Sequence, residues 1–268
     1  MNSHVSDTWE RGNPYEHYIG RWSRKVAPIF LSRLDCARNK VWLDVGCGTG
    51  ALTTAILDSC SPAEVIGVEP SQGFLNLALQ KLEGRATFHL GNAAAIPLPA
   101  SSIDVVVSGL VLNFVPNIRE ALAEMRRVAK PGGVLGAYVW DYEDKMELIK
   151  LFWDAAVTLD RKAMELHEGL RFPICATGAL HAAFRDAGLS NIDVMELNAV
   201  AQFASFEEYW EPFLGGQGPA PAYAMSLTED RRSQLREAVR ARLPTERDGS
   251  ITLNTRAWGV RATTPSDA

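Results

Sequence analysis

The sequence predicts an α/β protein on a mostly parallel sheet, and three observations predict it. Apolar runs rich in β-branched residues recur at 41–45, 65–68, 86–90, 103–110 and 134–140, with helix-like stretches between them. Strands that alternate with helices imply right-handed crossovers and parallel pairing. Several of these runs are nearly continuous rather than alternating, the pattern of strands buried on both faces. The first run, Val41 to Val45, enters a turn holding Gly46, Gly48 and Gly50 and leaves it as a helix at Ala51.

Taken in order, residues 15 to 34 set Tyr15, Tyr18, Trp22, Val26, Ile29, Phe30 and Leu34 at helical spacing. Arg21, Arg24, Lys25 and Arg33 lie between them, so the segment reads as an amphipathic helix or helix pair that packs on the sheet. Ala51 to Asp58 makes the first crossover helix. Ser71 caps a helix that runs to about Leu82. The helix at about 118 to 129 stops before Pro131-Gly-Gly133, and the fifth strand begins at Val134. From 142 the regularity breaks. Met146 to Leu159 is a helix with Leu148, Leu151, Phe152, Ala155 and Leu159 on one face. Residues 160 to 175 are mixed, Thr177 to Ala187 is a helix ended by Gly188, and 191 to 201 alternates as a strand. Residues 203 to 214 are rich in aromatics, 215 to 221 read as a hinge-like loop, 228 to 243 as a charged helix and 251 to 262 as a last strand.

At 268 residues and 47% hydrophobic composition the chain can bury one α/β core with an insertion. A net charge of −5 argues against a nucleic-acid surface. Arg231, Arg232, Arg236, Arg240 and Arg242 alternate with Glu229, Asp230 and Glu237, the pattern of a solvated helix face. The four cysteines, Cys36, Cys47, Cys60 and Cys175, form no C-x-x-C pair and suit a reducing compartment. No signal peptide is evident, and the apolar run around 105 to 115 is too short to span a bilayer. These features predict a soluble, cytoplasmic protein without a membrane span.

The glycine turn is the chemical centre. Its glycines free the backbone for positive φ and clear side chains from the path of a ligand, while the helix behind it aims unpaired N–H groups at the same point. Gly46-x-Gly48-x-x-Ala51 also satisfies the loose dinucleotide pattern. Asp44 weighs against that reading, because a carboxylate there repels a pyrophosphate but attracts a cationic amine. Glu69, about 20 residues past the glycines, suits ribose hydroxyls in either ligand.

Four stretches recur in order: Leu43-Asp-Val-Gly-Cys-Gly-Thr-Gly50, Val68-Glu-Pro-Ser71, Gly91 to Ser108 with Asn92-Ala-Ala-Ala-Ile-Pro97 and Ile103-Asp-Val-Val-Val-Ser108, and Glu124-Met-Arg-Arg-Val-Ala-Lys-Pro-Gly-Gly133. Together, over residues 15 to 141, they closely resemble the class I S-adenosylmethionine-dependent methyltransferases, nearest to the small-molecule branch that includes quinone-biosynthesis methyltransferases. One departure is Asn92, where the family usually has Asp. The resemblance implies a Rossmann-like, seven-stranded, mostly parallel sheet with helices on both faces, an antiparallel last strand and a helical cap or insertion. It divides the chain into a lid at 1–40, a cofactor-binding core at 41–141, a helical cap at 142–190, a strand pair at 191–262 with an insertion at about 203–249, and a tail at 263–268.

The resemblance also implies a cofactor, S-adenosyl-L-methionine, and its contacts. Asp44 with the backbone of Gly46, Cys47 and Gly48 would take the amino-acid end, Glu69 the ribose, and Asn92 with Ala93 the adenine edge, with Pro70 and Ile96 packed on its faces. Ser108, Gly109 and Leu110 would face the reacting methyl. Tyr18, Arg21 and Trp22 would close over the methionine end, with Arg21 on its carboxylate. The acceptor is expected to be a small, apolar or planar molecule enclosed by Asn113, Phe114, Trp140, Phe152, Trp153, Phe172, Phe203, Trp210 and Phe213, which serve equally as a cap core. Methyl transfer from a sulfonium needs alignment and no protein nucleophile. His167 is the candidate general base, beside its plain reading as a packing histidine. Cys47 has no His or Asn frame and reads as a small turn residue. No metal is assigned, and oligomeric state is not legible. Two alternatives stay open, a nicotinamide-dependent oxidoreductase and a non-catalytic cofactor-binding module.

Overall fold

The computed structural model describes residues 19–216 and 218–266. In chain order the elements are α1 (Arg21–Leu34), β1 (Val41–Val45), α2 (Ala51–Ser59), β2 (Glu64–Glu69), α3 (Gln72–Lys81), β3 (Thr87–Leu90), β4 (Ile103–Gly109), α4 (Ile118–Val128), β5 (Ala129–Trp140), α5 (Glu147–Leu159), α6 (Glu168–Arg171), α7 (Thr177–Asp186), β6 (Ser190–Phe203), α8 (Phe206–Trp210), α9 (Pro219–Ser226), α10 (Glu229–Arg240) and β7 (Ile251–Thr263). Short 3-10 turns fall at Leu112–Phe114, Arg161–Leu166, Pro173–Cys175 and Glu211–Gly215.

The strands form one seven-stranded sheet in the order β3-β2-β1-β4-β5-β7-β6. Strands β1 to β5 pair in parallel, with Leu43 between Ile66 and Val106, and β7 runs antiparallel to β5. Asn191 Nδ2 donates to Thr263 Oγ1, and Leu197 lies against Gly259, so β6 runs antiparallel to β7. This is the seven-stranded sheet with an antiparallel final strand that the motif resemblance implies. The side chains of Leu43, Val45, Val65, Val105, Val106 and Val107 are buried, as two-faced strands require.

The chain divides into two compact units. The larger holds Ser23–Trp140, Ile174–Leu197 and the chain from Ala257 onward. Its part of α1 packs as the apolar stripe predicts: Val26, Ala27, Phe30, Leu31 and Leu34 are buried, and the Phe30 ring lies 4.7 Å from that of Tyr138 on β5. The second unit holds Asp141–Pro173, Asn198–Arg256 and the described residues up to Trp22. Its centre is aromatic, with Phe152 stacked on Phe213 at 4.6 Å and an interplanar angle of 1°. Trp153 stands edge-on to Phe152 at 5.3 Å, and Tyr209 donates its hydroxyl to Leu148 O at 2.8 Å. Arg236 and Arg240 both reach Glu207, at 3.0 and 3.1 Å, as a solvated charged face does.

Local chemistry sets the ends. Ser71, Asn117 and Thr228 accept hydrogen bonds from the first turns of α3, α4 and α10, and Gly188 takes φ 73° after α7. Two expectations differ. The fifth strand starts at Ala129 rather than Val134: Ile103 pairs with Ala129 and Val105 with Val134, so Pro131-Gly-Gly133 bulges inside the strand. The loop expected to run to Pro221 ends at Gly218, because Pro219 and Pro221 sit in the first turn of α9, where a missing N–H has no helical partner to lose. Among the described residues no helix is long and apolar enough to cross a membrane.

Candidate cofactor site

The site forms where β1, β2 and β4 end on the same edge of the sheet. Gly46 N–H donates to Val68 O at 2.8 Å and Cys47 N–H to the same carbonyl at 3.1 Å, folding the turn over the end of β2. Gly46 has φ 75°, and a Cβ there would sit 2.6 Å from the Val111 side chain, so both conformation and space require glycine. At Gly48, φ 55°, an added Cβ would meet no atom of the described residues within 4 Å. Ser108 Oγ donates to Val45 O at 2.9 Å and ties the ends of β4 and β1 together. Leu110 follows at φ 61°, a conformation uncommon outside glycine, with its N–H on Tyr138 O at 2.7 Å. That backbone reversal leads into the turn carrying Asn113 and Phe114.

Two carboxylates line this edge. Glu69 is buried, with Oε2 accepting from Gly48 N–H at 3.0 Å and Oε1 from Ser71 N–H at 2.9 Å. Burial raises its pKa against those two donors. Each oxygen keeps a lone pair for a ribose hydroxyl. Asp44 is buried too, with Oδ2 accepting from Thr53 Oγ1 at 2.7 Å and Oδ1 accepting nothing among the described residues. Burial pushes its pKa up to about 7; the Thr53 hydroxyl opposes the shift and the Glu69 charge adds to it. An unpaired buried carboxylate oxygen is costly and suits a cation that supplies the missing donor. Asn113 Nδ2 is likewise buried with no hydrogen-bond partner among the described residues.

The adenine-edge residues lie on a loop fastened from below. Asn92 Oδ1 accepts from Ala94 N–H at 2.9 Å, an Asx turn that leaves it exposed. Ala93 is half-buried, Pro70 exposed and Ile96 buried. Ile96 N–H donates to Glu124 Oε2 at 3.0 Å, while Arg127 donates to Ile96 O and Leu98 O at 2.9 and 3.0 Å and pairs with Glu124 at 2.6 Å. Glu124 and Arg127 are positioning residues that motif reading quoted but gave no task. Their i,i+3 spacing on α4 was the available signal.

The remaining expectations fare differently. Gly109 ends β4, and Trp140 is buried at the end of β5. Cys47 is buried, and burial with the nearby Asp44 and Glu69 charges pushes its thiol well up, so it is no nucleophile. Tyr18 lies outside the described residues. Arg21 and Trp22 belong to the second unit, where Arg21 Nη1 pairs with Glu208 at 2.8 Å and its guanidinium stacks on Trp22 and Phe203 at 4.4 and 5.0 Å. Arg21 already has a carboxylate. Phe152, Trp153, Phe172, Phe203, Trp210 and Phe213 are buried among rings of the second unit, as a core is. His167 Nδ1 accepts from Gly169 N–H at 3.0 Å and caps α6. With that lone pair engaged, neutral His167 carries its proton on Nε2.

Residues 43–137 match a family described as a methyltransferase domain. The match places a methyltransferase domain in the core, over these residues. The demethylmenaquinone methyltransferase of Geobacillus stearothermophilus is 34% identical over 119 residues, which are 42% of this chain and 49% of that protein. The chain thus spans about half the length of the curated relatives it matches. The YcgJ protein of Bacillus subtilis shares the fold at a TM-score of 0.61 and 17% identity, over 90% of this chain and 99% of that one. So does Haemonchus contortus phosphoethanolamine N-methyltransferase 2, solved with phosphomonomethylethanolamine and S-adenosylhomocysteine, at a TM-score of 0.60 and 16% identity over 94% of this chain and 56% of that one. The methyltransferase domain's cofactor is S-adenosylmethionine. The residues present fit it: the unpaired Asp44 oxygen would take an ammonium and the Glu69 carboxylate ribose hydroxyls.

Proposed function

We propose that the chain is an S-adenosylmethionine-dependent methyltransferase acting on a small, apolar or planar acceptor. The observation that carries this reading is Asp44, buried beside Glu69 with one oxygen unpaired. A dinucleotide's pyrophosphate offers only acceptors and leaves that oxygen without a donor, whereas S-adenosylmethionine brings an ammonium that supplies one. The oxidoreductase alternative is therefore disfavoured. The curated relatives' printed substrate, a demethylmenaquinone, is a planar quinone, which supports the acceptor class. The four cysteines, with no C-x-x-C pair among them, support a reducing, cytoplasmic setting.

In this reading the cofactor supplies an activated methyl. Asp44 and Glu69 bind and orient it, Glu124 and Arg127 hold the loop under its adenine, and the Ser108–Leu110 backbone faces the transfer path. Holding the two reactants in line supplies about 7–11 kcal/mol of barrier reduction without a protein nucleophile. Calorimetric titration tests the reading: S-adenosylhomocysteine binds in the micromolar range, NADH does not, and Glu69→Ala weakens the former by about tenfold or more, the loss of a charge-assisted pair of hydrogen bonds. NADH binding without S-adenosylhomocysteine binding would overturn it.

A further inference from the structure

Asp44 is the polar group of the site that the fold satisfies least. It is 1% exposed, and among the described residues only its Oδ2 finds a donor, at Thr53 in the first turn of α2. The groups that act on it are Thr53 from α2 and the Glu69 carboxylate from β2; the Cys47 thiol of the turn, which feels Asp44 in return, stays protonated. Among the described residues no Lys, Arg or His acts on it. The Thr53 hydroxyl and backbone N–H favour its ionised form, and burial with a second acid nearby outweighs them and favours the neutral one.

We propose that Asp44 holds a proton until the cofactor's ammonium arrives, that binding releases this proton to solvent, and that Thr53 is the positioning residue that keeps the carboxylate ready to ionise. The proposal rests on the methyltransferase reading. It adds a proton to the binding reaction: neutral Asp44 plus a ligand ammonium give a carboxylate–ammonium pair and one proton taken by buffer. Glu69 faces the ribose, which every adenosine ligand shares, so a ligand lacking the amino-acid end leaves Asp44 neutral. Thr53 Oγ1 donates to the ionised form and favours it.

The test is calorimetry of the full chain with S-adenosylhomocysteine and with methylthioadenosine, in buffers of differing ionisation enthalpy, between pH 6 and 7.5. This window lies below the titration of a ligand α-amine near 8. With Asp44 half-ionised at about pH 7, S-adenosylhomocysteine releases about 0.9 proton at pH 6 and about 0.5 at pH 7, and its Kd tightens about fivefold over that unit. Methylthioadenosine releases none, and its Kd stays flat. S-adenosylhomocysteine that binds with no more proton release than methylthioadenosine would overturn the proposal. Failure of both ligands to bind would instead overturn the methyltransferase reading. Thr53→Val moves the midpoint of the Kd profile to higher pH, and Thr53→Ser returns it. A midpoint unmoved in folded Thr53→Val would sink the assignment of Thr53.

Discussion

The glycine turn and the aromatic centre of the second unit both gather residues able to do chemistry, and they differ in what those residues touch. At the turn, Glu69 uses both oxygens on backbone N–H groups yet keeps acceptor capacity, and Asp44 leaves an oxygen bare. In the aromatic centre, Phe152 stacks on Phe213, Trp153 meets Tyr223 at 5.4 Å, and the Tyr209 hydroxyl is matched by Leu148 O. Unused hydrogen-bonding capacity marks a binding site, and mutual satisfaction marks a core. The rings are arranged as a core, and the acids keep capacity that a ligand would use.

The largest effect expected from that contrast is Phe152→Ala. Removing a ring that is fully buried and stacked costs about 3–5 kcal/mol of stability, read as a lowered urea midpoint with unchanged slope. Its Kd for S-adenosylhomocysteine, measured where the protein is still folded, stays at the wild-type value. A tenfold weaker Kd at full folding would break the separation between core and site.

Next in size is Asp44→Asn, which sharpens the same contrast from the other side. The native Asp44 pKa is raised to about 7, above the unfolded value of about 3.9. Between those values the native state keeps a proton that the unfolded state has lost, so the group's contribution is full below pH 4 and is lost as pH rises through 7. Asparagine stays neutral throughout. The variant's stability advantage over wild type grows between pH 4 and 7 by on the order of 2–4 kcal/mol and is constant above, while its S-adenosylhomocysteine affinity falls. Thermal melts at pH 4.5, 6 and 8 check the trend, and an advantage independent of pH would show that Asp44 is not held neutral.

The same distinction explains what could be read without coordinates. The sheet was legible because its strands are two-faced apolar runs and its turn needs glycine at Gly46, a requirement set by the backbone and by Val111. Asp44 and Glu69 were legible because they sit at fixed distances from that turn. Thr53, Glu124 and Arg127 were not singled out, since their tasks arise only when α2 folds onto β1 and α4 onto the 92–99 loop. The aromatics were ambiguous because a ring in a pocket and a ring in a core have the same sequence signature, and only partners such as Phe213 on Phe152 decide. The pairing of Arg21 with Glu208 was out of reach for a related reason, since the two lie 187 residues apart in sequence.

The smallest expected effect is His167→Asn. The structure gives His167 the work of an N-cap, its Nδ1 accepting from Gly169 N–H, and burial lowers its pKa so that it stays neutral at physiological pH. Asparagine caps helices as well as any residue, through a side-chain oxygen that accepts the same kind of bond. Stability should change by less than about 1 kcal/mol, and methyl-transfer rates between pH 7 and 8 should be unaltered. His167→Ala removes the cap and lowers stability by about 1 kcal/mol, again without changing the pH profile of the rate. A rate that falls in both variants while stability holds would return His167 to the chemistry; a loss of stability in the alanine variant alone, with both rates intact, places it with the rings of the second unit.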